Sequence, residues 1–199
     1  MKPARVASLA ALLGVALPAS VALAVEPVMV PTAGKPAEGT TSHKLMFGIR
    51  LDGGDGWEFA VPYMDSPPGW CAGGDTCSAR SAIFGDLELT FAPTGAIEVV
   101  AGIRYEFEKN GNGEHDIVFR PGIIAYLDES SLVKVFLIFQ GLLEVTGELN
   151  VGFAPGFGVQ FDFHRYVGMY IQVQANFMFL EVVRFAVDGS LGIQGRIGK

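Results

Sequence analysis

The sequence EVTGELNVGFAPGFGVQFDF, residues 144–163, alternates apolar side chains with polar residues and glycine. Its odd-numbered positions are Val145, Gly147, Leu149, Val151, Phe153, Pro155, Phe157, Val159, Phe161 and Phe163. Because successive side chains of a strand point to opposite faces, this pattern predicts one apolar and one polar face. The phase is unchanged through Pro155, so we predict one strand with a local kink there. A turn at residues 154–156 is the alternative and would give nine strands.

The same period of two recurs along most of the chain. It predicts strands at residues 44–52, 83–91, 97–108, 116–127, 133–140, 144–163, 167–177 and 183–197. Tight connections at 92–95, 128–131 and 164–166 fall on one side, and 53–82, 109–114, 141–143 and 178–181 fall on the other. We therefore predict an all-β fold, an eight-stranded antiparallel up-and-down barrel with one long loop, 53–82.

Three features predict that the apolar face meets lipid. The polar face is rich in glycine, which weakens a solvent-exposed strand but leaves space in a narrow lumen. That face carries charges of both signs, such as Arg104 near Glu106. Aromatic residues lie towards the strand ends, as in the girdles of membrane barrels: Phe91, Tyr105, Phe107, Phe161, Phe163, Tyr166, Phe177 and Phe179. A soluble, lipocalin-like barrel with the apolar face inside is the alternative hypothesis.

The N-terminal residues have the three parts of an export signal. Lys2 and Arg5 precede a short apolar core, and residues 22–24 form a small-residue cleavage site. We predict a signal peptide at 1–24, a flexible leader at 25–43 and the barrel at 44–198. Loss of Lys2 and Arg5 leaves 12 basic and 21 acidic residues, a net charge of −9, which argues against nucleic-acid binding.

The signal, the glycine-rich dyad repeats and the terminal segment from Asp188 to Ile197 resemble the small outer-membrane β-barrel proteins of Gram-negative bacteria, with OmpA/OmpX-like architecture. The resemblance covers residues 44–198. Members usually end in an aromatic residue, whereas this chain ends in Gly198 and Lys199. The resemblance implies a location in the bacterial outer membrane, contact with its lipids and lipopolysaccharide, and insertion by the barrel assembly machinery.

Two sets of residues are candidate functional features. A charge network is predicted in the lumen, and it comprises Arg50, Arg104, Glu106, Arg120, Glu148, Arg184, Asp188 and Arg196. Because side chains fill an eight-stranded barrel, we expect these charges to form a plug, and a narrow pore is the alternative. The long loop carries a contact surface of Trp57, Phe59, Tyr63 and Trp70 for an extracellular ligand, and Cys71 and Cys77 are predicted to form a disulfide there.

Little in the sequence points to catalysis. Residues 52–56 and 110–114 resemble calcium loops but lack the full acidic ligand set, so neither a metal nor another cofactor is expected. His115 falls on the outward face, where a lipid-modifying enzyme would carry a histidine paired with a serine or an aspartate. We predict a non-enzymatic structural or surface-interaction protein, with a lipid-modifying barrel enzyme as the alternative.

Overall fold

The strands were located in a computed structural model, which describes residues 42–61, 77–109, 114–128, 130–146, 149–179 and 183–198. The predicted signal peptide and nearly all of the leader lie outside these residues. The strands are β1 (Met46–Val61), β2 (Cys77–Arg80), β3 (Ile83–Ala92), β4 (Ile97–Lys109), β5 (Glu114–Tyr126), β6 (Val133–Glu144), β7 (Asn150–His164), β8 (Val167–Met178) and β9 (Val183–Ile197). The described residues include no helix that is long and apolar enough to cross a bilayer.

The long strands close into an eight-stranded antiparallel barrel. β1 pairs with β3, each of β3 to β8 pairs with the next strand along the chain, and β1 also pairs with β9 from Phe47 to Val61. The short strand β2 continues the position of β3, pairing with the far end of β1. The predicted eight-stranded up-and-down barrel is therefore confirmed, and closure leaves no unpaired edge along the barrel.

The register of the pairs fixes the stagger of the barrel. From Trp57 the register leads through Val187 on β9 to Ala175 on β8, which lies opposite Pro155 between the pairs that flank it. From Pro155 the pairs lead through each following strand to Phe91 on β3 and then to Phe47 on β1. This position lies ten residues before the starting point on the same strand. An eight-stranded barrel with tilted, staggered strands has a lumen just wide enough for side chains.

The lumen is polar and the outer surface is apolar. All buried strand residues have even numbers, and charged ones such as Arg50, Glu88 and Arg120 are among the most completely buried. Odd-numbered residues such as Leu89, Leu137 and Phe157 are exposed on the outside. This arrangement inverts that of a soluble barrel. The prediction that the apolar face lies outside and the polar face lines the lumen is confirmed, and the inward apolar face of the lipocalin-like alternative is wrong.

Pro155 does not interrupt its strand. β7 runs from Asn150 to His164, and Pro155 pairs with Phe139 on β6. Pairing between β7 and β8 is interrupted here, between Phe153 and Gly156, and again at an irregularity between Asp162 and His164. Because proline lacks an N–H donor, it interrupts the ladder locally while the strand continues. The prediction of one strand through Pro155 is correct, although the strand begins at residue 150 instead of 144.

Two predicted connections are wrong in their bounds. The predicted turn at 141–143 lies inside β6, which ends at Glu144, and the described part of the connection to β7 begins at Val145. The predicted loop 53–82 begins too early, since β1 continues to Val61. Residues 52–56 look like a turn because of their glycines, yet here they pair with residues 188–192 of β9. Tertiary pairing therefore overrides the local turn signal.

The barrel has two ends. The turn end holds residues 93–96, 127–128, 130–132 and 165–166, together with residues 42–45 that lead into β1. The loop end is the opposite end, where β1, β4, β6 and β8 end. β2 pairs with β1 in a register that is shifted by one residue from the register of β3. Its even-numbered side chains therefore face outward, whereas those of β3 face inward.

Candidate functional site

The centre of the lumen is occupied by Arg50. Its Nη1 atom lies 3.1 Å from Oε2 of Glu88, and its Nη2 atom donates to Oε1 of Gln172 at 3.1 Å. Its guanidinium carbon lies 3.8 Å from the ring centroid of Tyr170 and 5.5 Å from that of Phe136. An arginine that both pairs with a carboxylate and stacks on aromatic faces fills the cross-section at this level.

Glycines on the lumen side make room for these aromatic rings. A Cβ atom at Gly158 would lie 2.4 Å from Cζ of Phe136, and one at Gly192 would lie 2.5 Å from Cζ of Tyr170. Neither glycine adopts an unusual backbone conformation. The glycines of the polar face are therefore needed for close packing inside the barrel, as the sequence analysis proposed.

A second cluster lies nearer the loop end and is built around Asp86. Arg104 donates to both oxygens of Asp86, from Nε at 2.9 Å and from Nη2 at 3.0 Å, and it reaches Asp188 from Nη1 at 2.5 Å. Arg120 donates to Oδ2 of Asp86 at 2.6 Å and to Gln174 at 2.5 Å. Bidentate pairs of this kind are among the strongest polar contacts in proteins.

A third cluster closes the turn end. His43 is completely buried, with Nε2 2.8 Å from Oδ2 of Asp162 and Nδ1 3.2 Å from Oε1 of Glu98. Lys134 lies 2.8 Å from Asp162 and 2.9 Å from His43, and Arg196 lies 3.1 Å from Asp162. Two carboxylates thus face the side chains of Lys134 and Arg196, with the imidazole between them.

The chain reaches this cluster through a tight turn before β1. The amide of Met46 donates to the carbonyl of His43 at 3.0 Å, and Leu45 adopts a φ of 58°. A left-handed conformation costs a residue with a branched side chain about 1 kcal/mol or more. The surrounding contacts hold this turn in place, and it directs the His43 side chain into the lumen.

The predicted network residues are placed as follows. Arg50, Arg104, Arg120, Asp188 and Arg196 are buried inside the barrel, while Glu106 and Arg184 are half-buried near the loop end. Glu148 lies outside the described residues. Arg184 is ion-paired with Glu144, and its Nη1 atom lies 3.7 Å from Glu58.

Several lumen residues were missing from the predicted network. They are His43, Asp86, Glu88, Glu98, Lys134 and Asp162, together with the lumen glutamines and the rings of Phe84, Tyr126, Phe136 and Tyr170. For those within strands the signal was present, because their even numbers place them on the polar face. His43 carried no such signal, since it precedes the alternation and fell at the end of the predicted leader.

The predicted loop surface is only partly visible. Trp57 and Phe59 are exposed, but they lie on β1 and point outward from the barrel wall instead of lying in a loop. Tyr63, Trp70 and Cys71 lie outside the described residues. Cys77 begins β2, and its pairing with Cys71 stays a prediction.

Aromatic side chains form a belt on the outer surface towards the loop end. The rings of Phe59 and Phe185 stack at 6.2 Å, Phe185 and Phe177 lie 5.0 Å apart, and Phe177 and Phe153 lie 5.1 Å apart. Tyr105 continues the belt on β4, where it stacks on His115 at 5.4 Å. Aromatic belts of this kind lie at membrane–water interfaces.

Comparison with solved structures supports the same architecture. Neisserial surface protein A (NspA) matches with a TM-score of 0.56 and 11% identity, over 76% of this chain and 97% of that chain. The N-terminal β-barrel domain of Pseudomonas aeruginosa OprF matches with a TM-score of 0.55 and 7% identity, over 77% and 98%. No family model and no curated protein sequence matches. The chain has the fold of the small eight-stranded outer-membrane β-barrels.

Proposed function

We propose that this protein is a non-enzymatic barrel of the bacterial outer membrane, with a structural or surface-interaction role and a lumen closed to ions. The observation that carries the proposal is the filled lumen. Arg50 stacks on Tyr170 and pairs with Glu88 in the middle of the barrel, and ion-paired clusters lie on both sides of it. Side chains that pack and pair across the lumen in this way are expected to block a continuous water path.

The outer surface supports the location in a membrane. Exposed leucine, isoleucine, valine and phenylalanine side chains surround the barrel between its two ends. Water would make such a surface aggregate, whereas hydrocarbon solvates it. The predicted export signal is consistent with the outer membrane, where barrels of this fold are inserted by the assembly machinery and contact lipopolysaccharide.

The interaction role rests on the segment between β1 and β3. Its flanks continue the barrel wall at the level of the aromatic belt, where Trp57 and Phe59 are exposed and Arg80 is ion-paired with Asp55 on the outer side. A long connection supported by a rigid barrel wall is the usual place for a binding surface. We propose that residues 62–76 contact an extracellular partner or ligand.

The location is tested by membrane fractionation combined with gel mobility before and after boiling. The proposal expects the protein in the outer-membrane fraction, with a folded form that changes its mobility only on boiling. Planar-bilayer recording tests the closed lumen, and no stable conductance is expected. Recovery in the soluble fraction would contradict the membrane location, and regular channel openings would contradict the plug. Deletion of residues 62–76 should leave the barrel folded while abolishing binding to the proposed extracellular partner or ligand.

A further inference from the structure

The turn end of the barrel carries an exposed basic surface formed by Lys44, His164 and Arg165, which we call the basic rim. His164 and Arg165 lie where β7 connects to β8, and Lys44 lies in the segment that leads into β1. β8 and β1 both pair with β9, so the two parts of the rim flank the end of that one strand. The three side chains therefore lie on one side of the barrel.

Arg165 has no carboxylate partner among the described residues. The other described arginines are each ion-paired with an acidic side chain: Arg50, Arg80, Arg104, Arg120, Arg184 and Arg196. The guanidinium carbon of Arg165 lies instead 4.8 Å from the ring centroid of Tyr166. A cation–π contact of this kind orients the guanidinium without using its N–H donors. Its planar fork of donors fits the oxygen atoms of a phosphate group.

His164 adds a second donor to the same turn. Its Nδ1 atom accepts the backbone amide of Tyr166 at 3.4 Å, and the two rings lie 5.2 Å apart. When Nδ1 of a neutral imidazole accepts a hydrogen bond, the ring proton is on Nε2. The turn therefore presents an imidazole N–H beside a guanidinium, and both groups donate to an anion.

The exposed charge at this end of the barrel is divided between two sides. The exposed acidic residue of the turn end, among those that the structure describes, is Asp128. It lies between β5 and β6, which are opposite β9 and β1 in the order of the eight strands. Its carboxylate accepts hydrogen bonds from Ser130 and Ser131 of its own turn. The basic rim is thus set apart from this acid, and its field favours an anionic ligand.

Apolar side chains lie next to the basic rim on the outer surface. Leu45, Phe163 and Ile197 are each more than half exposed. Leu45 and Phe163 are the immediate chain neighbours of Lys44 and His164, and Ile197 is near the end of β9. A small free anion gains nothing from such side chains. A lipid with an anionic headgroup contacts the basic rim and the apolar side chains together.

We propose that the basic rim binds the phosphate of an anionic glycerophospholipid, with the acyl chains against Leu45, Phe163 and Ile197. Arg165 and Lys44 supply the charge, and His164 supplies a further hydrogen bond. The inference rests on the membrane location proposed above. Because barrels of this kind have their short turns on the periplasmic side, the lipid belongs to the inner leaflet of the outer membrane.

Native mass spectrometry tests the preference for an anionic lipid. The folded protein receives equal amounts of phosphatidylglycerol and phosphatidylcholine with the same acyl chains, and more phosphatidylglycerol should stay bound. Arg165→Gln and Lys44→Gln should each lower the ratio of the two bound lipids about fivefold, since a base near anionic lipid contributes about 1 kcal/mol. Arg165→Lys keeps the charge and should retain most of the preference.

Arg80→Gln is the matched control, because Arg80 is an exposed arginine near the opposite end. It should leave the ratio within about twofold of wild type. The boiling-dependent gel shift shows that each variant is folded. Equal binding of the two lipids by wild type, or equal losses for Arg80→Gln and Arg165→Gln, would overturn the inference. A barrel recovered from the outer membrane without any lipid preference would contradict this inference alone and leave the membrane location intact.

NMR titration separates a lipid from a free phosphate. Phosphatidylglycerol added to the protein in detergent should shift the backbone amide signals of Arg165 and Tyr166 in a saturable way. Inorganic phosphate at the same concentrations should leave these signals unchanged. Equal saturation by inorganic phosphate would show that the acyl chains contribute nothing, and it would overturn the assignment to a lipid.

Discussion

The Nε2 atom of His43 lies 2.8 Å from Oδ2 of Asp162, across 119 residues of sequence. Both side chains are completely buried. The contact ties the segment before the first strand to the inner wall formed by β7. The N-terminal approach to the barrel is therefore part of the lumen packing.

Replacement of His43 by alanine should destabilise the folded barrel. The change leaves Asp162 and Glu98 with one fewer partner in a buried site, and such losses cost about 1–3 kcal/mol. His164→Ala is the control, since His164 is exposed at the same end and should change stability by no more than about 0.5 kcal/mol. Urea unfolding in lipid vesicles measures both. Equal stability of the two variants would contradict the role assigned to His43.

Arg104→Met should be more damaging. It leaves Asp86 and Asp188 without their shared partner inside the barrel, and breaking a buried ion pair costs about 3–5 kcal/mol. Arg165→Met, at an exposed turn position, removes the same charge and should have little effect. The unfolding midpoint and the boiling-dependent gel shift report both changes. A small loss for Arg104→Met would show that water replaces the guanidinium easily.

Arginine substitutions at two exposed positions, one within β6 and one just after it, test where the membrane ends. Leu137 lies midway along β6, and Val145 follows its last residue at the loop end. A cation facing lipid costs about 2–4 kcal/mol at the bilayer centre and about 0–1 kcal/mol near the interface. Leu137→Arg should therefore be strongly destabilising and Val145→Arg nearly neutral. In a water-exposed barrel neither substitution would matter, so similar small effects would contradict the membrane placement.

Asp128 gives the turn end a defined pH dependence. Hydrogen bonds from the Ser131 hydroxyl and from the amide and hydroxyl of Ser130 lower the pKa of Asp128 from 3.8 to about 2. Because the folded-state pKa is depressed, the stabilisation is complete above the unfolded value of 3.8 and is lost as the pH falls through about 2. Asp128→Asn should therefore be less stable than wild type at neutral pH, and the difference should shrink below pH 3.8 and vanish only below about pH 2.

NMR titration of the Asp128 carboxyl carbon checks the same point directly. A midpoint near 3.8 in the folded protein would contradict the hydrogen-bonded turn. Ser131→Ala is the matched variant, since it removes the largest single contribution and should move the midpoint upward without changing any charge.

His115→Ala tests the alternative of a lipid-modifying enzyme. His115 is exposed on the outer face and stacks on Tyr105. A residue of the aromatic belt without any catalytic role would pack in the same way. The variant should leave lipid A composition unchanged when analysed by mass spectrometry in cells that express either form. A lipid A modification that appears with wild type and disappears with His115→Ala would overturn the non-enzymatic proposal.

The alternation of side chains determined most of the fold. Parity puts Leu89, Leu137 and Phe157 on one face, because a strand points successive side chains to opposite sides. The glycines, the mixed charges and the aromatic strand ends then predict that this face lies outside. The glycines and the charges of both signs on the polar face predict a lumen filled by side chains. The tight turns at residues 92–95 and 164–166 fixed the direction of neighbouring strands.

The tertiary structure decided what no local pattern contains. Residues 53–61 became strand because β9 pairs with them, in spite of their glycines. His43 found partners on β4 and β7, and Arg104 found one on β9, through closure of the barrel. Side-chain parity is a property of each strand, so the sequence alone determined which side chains share a face. Which charges meet across the lumen depends on the stagger between strands, and only barrel closure sets that stagger.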